Sequence, residues 1–139
     1  MNKIVKVAFL ISIGLFIIAL TQCAYCTTSI CRPGYDAFIC GALLGFLMGG
    51  GAITWLANPF LFIAWISAKK NPTLSLVASL AAALIALSFL FFHGVADDEA
   101  GHINSIISYK LGYWLWLSSA AIILTGNVIT FLQSRKPAA

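Results

Sequence analysis

Charge is scarce in this chain. Four acids and eight Lys or Arg residues make up 9% of its 139 residues, against 61% hydrophobic residues. A soluble domain carries about 25% charged residues, and 139 residues cannot enclose this much apolar surface, so the composition points to lipid as the solvent. Ionisable residues are missing from the middle of every apolar stretch. Pumps and proton-driven carriers need such groups at depth, so their absence argues against both. No serine stands with a histidine and an acid in a nucleophilic arrangement. The glycine run at 49–51 has apolar neighbours and no lysine, so it is not a phosphate-cradling loop. The net charge of +4 comes from short anchors between apolar stretches, which implies a membrane surface and no nucleic-acid partner.

What charge there is falls at the ends of four apolar stretches, sorted by sign. Lys3, Lys6, Lys69, Lys70, Arg135 and Lys136 lie on one side; Arg32, Asp36, Asp97, Asp98, Glu99 and Lys110 lie on the other. Because cytoplasmic loops are enriched in Lys and Arg, the alternation predicts an all-α bundle of four transmembrane helices with both termini cytoplasmic. The spans are expected at about 4–20, 41–68, 74–92 and 111–132, within one domain covering 1–139. External loops are expected at about 21–40 and 93–110. Compact loops and strong charge asymmetry suit a multi-pass protein of a bacterial inner membrane. Gln22 is a poor residue before Cys23 for lipoprotein cleavage, so the first stretch is read as an uncleaved anchor.

The second stretch is too long for one straight span of about 20 residues. Its glycine run at 49–51 and its Asn58-Pro59 pair predict a kink or break, since proline removes a donor and crowds the preceding turn. A short interfacial helix over 37–46 fits ahead of the main span. Gly41, Gly45 and Gly49 form a small-residue stripe suited to close helix packing or to a partner. Ser75, Ser79 and Ala83, with Ala78, Ala82 and Ala86, offer matching stripes on the third span. Tyr109, Tyr113, Trp114, Trp116 and Trp65 are expected as interface anchors.

Cys23, Cys26, Cys31 and Cys40 cluster in the first external loop. An even number there suggests two disulfides in an oxidising compartment. The favoured bridges lie within the Cys23–Cys26 pair or run from that pair to Cys31 or Cys40, and spacing does not choose among them. Four cysteines at such spacing also have the donor type for zinc, but oxidation competes, and no metal is assigned. In the second loop, Asp97, Asp98, Glu99 and His102 carry cation donors, yet adjacent exposed acids are ordinarily a solvated charge run. With Tyr109 they are read as an external recognition loop.

A Cys-Ala-Tyr-Cys pair between the first two of four helices is similar in layout to the DsbB family of quinone-linked disulfide generators. The resemblance covers the helix count and this pair, about a tenth of the chain. It implies thiol–disulfide chemistry at Cys23 and Cys26 and a quinone near the outer helix ends. The chain departs from the family in the other loop, which has no cysteine. The residues themselves assign no cofactor.

The expected role is non-enzymatic: a small membrane protein that binds a membrane or periplasmic partner, a second copy of itself included. An accessory subunit of an envelope complex and an immunity-type protein both fit. The alternatives are a DsbB-like oxidoreductase using Cys23 and Cys26, and an oligomeric pore or small-solute carrier.

Overall fold

The computed structural model describes residues 1–96, 98 and 100–136, with the side chain of Phe46 outside the description. Its elements in order are α1 (Lys3–Thr21), β1 (Cys23–Thr27), β2 (Cys31–Pro33), α2 (Gly34–Met48), a 3-10 segment (Gly51–Leu56), α3 (Ala57–Ser67), α4 (Pro72–Ser88), a 3-10 turn (Phe89–Phe91), β3 (Gly94–Ala96), β4 (Ile103–Tyr109) and α5 (Leu111–Ser134). The chain is mostly helical. Three helices are long and apolar enough to cross a membrane: Lys3–Thr21, Pro72–Phe91 and Leu111–Ser134.

Local sequence sets the helix starts. Asn2 caps α1 by accepting from the Ile4 amide at 3.2 Å. Asn71 caps α4 by accepting from the Leu74 amide at 3.0 Å, with Pro72 at the first turn. Proline fits there because the first-turn amides have no helical acceptor.

The expected second helix at 41–68 is divided. α2 ends at Gly49 and Gly50, whose φ angles of 65° and 59° lie in the left-handed region. Glycine enters that region without a Cβ penalty, and it commonly ends helices there. Asn58-Pro59 makes no break. Pro59 is the third residue of α3, just after the 3-10 segment passes into α-helix, and the helix runs on through it to Ser67.

The stretches expected as loops fold instead into a four-stranded antiparallel sheet, in the order β2-β1-β4-β3. The all-α class is corrected on this point. Pairing strands from two distant segments satisfies their backbone groups. α2 is tied to both edges of this sheet. It follows directly from β2, with the Gly34 amide donating to Gln22 at 2.7 Å. At its other end Gly50 bridges to Val95 of β3. A 15-residue helix is about 22 Å long, enough to cross four strands spaced about 4.8 Å apart.

Helix packing is built from small residues and hydroxyls. Ser75, Ala78, Ser79, Ala82 and Ala86 are the buried residues of α4, so α3 and α5 approach its backbone closely. α5 is hydrogen-bonded to each of the other long helical segments. Tyr113 donates to the Ala86 carbonyl at 3.0 Å and the Trp116 indole donates to Asn58 Oδ1 at 2.8 Å. The Ser119 and Ser12 hydroxyls each donate to the other's carbonyl at 2.8 Å. Asn127 Nδ2 donates to Ser75 and Ser79 at 2.9 and 3.1 Å. Trp65 donates to Ser12 at 2.9 Å. Trp65 and Trp116, expected as interface anchors, therefore spend their N–H groups inside the bundle, where no water would satisfy them.

At Gly126 a Cβ would lie 2.6 Å from that of Ala8, whereas Gly14 has open space around it. Gly126→Val is therefore expected to destabilise the α1–α5 contact by about 1–3 kcal/mol. Gly14→Ala should be neutral or stabilising by up to about 1 kcal/mol. Unfolding of the two variants in mixed detergent micelles measures the difference.

Candidate functional site

The sheet carries most of the residues singled out from the sequence. β1 and β2 form a hairpin whose turn is organised by Thr27: its amide donates to the Ile30 carbonyl at 2.8 Å. Its hydroxyl also accepts from the Ser29 and Ile30 amides at 3.3 and 3.2 Å. The hairpin sets Cys26 directly opposite Cys31, and these two form the single disulfide among the described residues. The bridge thus runs from the Cys23–Cys26 pair to Cys31. Of the two bridges expected, the second is not formed: Cys23 and Cys40 are thiols. Cys40 lies on α2, where Arg32 approaches its sulfur at 3.8 Å and the thiol contacts Asp36 at 3.7 Å.

A β-bulge between Cys23 and Tyr25 decides where the Cys23 side chain goes. Side chains alternate along a regular strand, so residues three apart face opposite ways; one extra residue restores them to the same face. The Cys23, Cys26 and Cys31 sulfurs lie within 4.8 Å of one another. Three thiolates so placed have the softness for zinc or Cu(I), but the bridge consumes two of them. Cys26 is buried, Cys23 is half-buried and Cys31 is exposed.

The opposite face of β1 is apolar. Tyr25, Phe89, Val95 and Tyr113 form a buried cluster, with Ile106 and Tyr109 packed against it. The Tyr109 hydroxyl donates to the Phe89 carbonyl at 3.2 Å, and burial raises its pKa above the usual phenol value. Beneath the sheet lies a cavity of about 110 Å³, with walls that include Phe16, Phe38, Trp55, Phe89 and Trp116. Arg32 stands at this cavity in an ion pair with Asp36 of the first turn of α2. Burial works against the Arg32 charge, but the hydrogen bond and charge of Asp36 outweigh it, and the pKa is raised.

Gly41 and Gly45, expected as a packing or partner face, lie against the chain's own 3-10 segment. A Cβ on Gly41 would meet the Trp55 ring at 2.3 Å, and one on Gly45 would meet the Ala52 carbonyl oxygen at 3.0 Å. Gly49 forms the helix end instead. In the turn before β4, Asp98 and His102 pair with each other. The His102 amide donates to Oδ1 at 2.9 Å, and its ring nitrogen lies 2.5 Å from Oδ2. These hydrogen bonds hold the Asp98 carboxylate below its ordinary pKa. Asp97 and Glu99, assigned to the same recognition loop, lie outside the described residues.

Sequence reasoning overlooked Tyr25, Thr27 and the bulge. The signal for them is the Tyr-Cys-Thr-Thr-Ser run, which combines strand formers with turn formers.

The Cys26–Cys31 bridge closes a loop of six residues, which in the chain-entropy account contributes about 2 kcal/mol. Replacing both cysteines by serine should lower unfolding stability by about that amount while the helices stay intact. Denaturation followed by circular dichroism checks this.

Compared with protein-family models, curated proteins and solved structures, the chain matches none.

Proposed function

We infer that the protein is a four-span, multi-pass component of a bacterial inner membrane that works by binding another membrane or periplasmic protein. The helix Gly51–Ser67 supplies the fourth crossing. Six residues of 3-10 helix and eleven of α-helix rise about 28 Å together, close to the roughly 30 Å of a hydrocarbon core. α2 then lies along the membrane surface, with Tyr35, Ile39, Leu43 and Leu47 exposed. The charge sorting favours cytoplasmic termini and an external sheet. Exposed Leu10, Ile17, Val77, Leu84 and Leu132 suit a lipid-facing perimeter.

The observation that carries the binding reading is the outer sheet itself. It is held rigidly over the helix ends by a buried aromatic cluster. Ile30, Ile103 and Ile107 are nevertheless exposed at 43%, 62% and 65%, beside the polar Asp98–His102 turn. Apolar side chains displayed with a polar rim, on a fixed scaffold, are the ordinary make-up of a recognition surface. An accessory subunit and an immunity-type protein both use such a surface.

Two measurements test this. Reporter fusions should place residues 70 and 136 in the cytoplasm and residues 30 and 100 outside; a reporter at 100 facing the cytoplasm would overturn the topology. Affinity purification in mild detergent should recover a stoichiometric protein partner. Replacing Ile103 and Ile107 together by glutamate should lose that partner while leaving thermal stability unchanged.

A further inference from the structure

The three sulfurs gathered at the β1–β2 hairpin carry an inference independent of the binding reading. We propose that Cys23, Cys26 and Cys31 form a thiol–disulfide exchange site, in which the bridge moves from Cys26–Cys31 to Cys23–Cys26 and releases Cys31 as the nucleophile for a disulfide in another protein. The site is built by two local features: the hairpin that opposes Cys26 to Cys31, and the bulge that turns Cys23 onto the same face. A thiol is thereby held within 4.8 Å of both sulfurs of an existing bridge. A Cys-x-x-Cys spacing without the bulge would leave Cys23 on the opposite face.

The step balances without an oxidant or reductant. Cys23 loses its proton and its thiolate attacks the Cys26 sulfur. The Cys23–Cys26 bond forms as the Cys26–Cys31 bond breaks, and the electron pair departs on the Cys31 sulfur, which takes up a proton from water. Burial selects this direction of attack. Cys31 is exposed, so water solvates the departing thiolate. Attack on Cys31 would instead strand the charge on buried Cys26. The product also has a geometric requirement. A bridge needs Cα atoms within about 7 Å, whereas residues three apart in a regular strand stand about 10 Å apart. Bridge migration therefore draws in the bulged start of β1 and releases its pairing at Pro33.

Full-length oxidised protein in detergent, treated with iodoacetamide and mapped by peptide mass spectrometry, tests the exchange. The expected result is label on Cys31 as well as Cys23, together with a Cys23–Cys26 bridged peptide. In C23S the Cys31 label should fall to background, with the Cys26–Cys31 peptide retained. In C31S, oxidised glutathione should produce the Cys23–Cys26 bridge. Wild-type protein labelled on Cys23 but not Cys31 would overturn the proposal, as would equal Cys31 labelling in wild type and C23S. Should C31S fail to fold, the comparison of wild type with C23S decides alone.

Discussion

A polar group buried among apolar helices has no water to turn to, and this one constraint organises the molecule. α1, α3 and α4 are each joined to α5 by a side-chain hydrogen bond: Ser119 to α1, Trp116 to α3, Tyr113 and Asn127 to α4. Individually such bonds contribute about 0.6 kcal/mol. Their larger effect is selective, because a rotation of α5 about its axis would unmake several at once. The small faces of α4 and Gly126 of α5 follow from the same constraint: the backbones must come close before short side chains can reach across.

The sheet obeys the same rule at the ends of the helices. A loop there would leave backbone amides partly dehydrated and unpaired. Pairing β1 with β4 removes that cost and joins two segments distant in sequence into one sheet. Tyr25, Tyr109 and Tyr113 then stack around Phe89, fixing the sheet to the upper ends of α4 and α5. α2 closes the layer from one edge to the other. The cysteine trio and the exposed isoleucines are held on this layer, so their positions depend on the helices beneath.

Much of the helical frame was legible. Apolar stretches at 4–20 and 111–132 correspond to α1 and α5 within two residues, because hydropathy and charge report directly on where helices can be buried in lipid. The strands were not legible. They are three to seven residues long, their partners lie up to about eighty residues away, and Ile103–Tyr109 does not alternate cleanly between apolar and polar residues. The break in the second stretch was visible in its glycines, whereas Asn58-Pro59, the other expected break, lies within the continuous helical run Gly51–Ser67. Spacing could not choose the disulfide, because the choice is made by the hairpin register.

The strand order has a consequence for how the protein is made. β1 lies beside β4, whose residues leave the ribosome after three of the four apolar stretches and just before the last. While the chain is growing, the β1–β2 hairpin must wait with the edge that will pair with β4 open. Closure of the sheet therefore waits until β4 has been made. Any chain cut short before residue 103 would leave an unpaired strand edge, the kind of surface that quality-control proteases and aggregation both act upon.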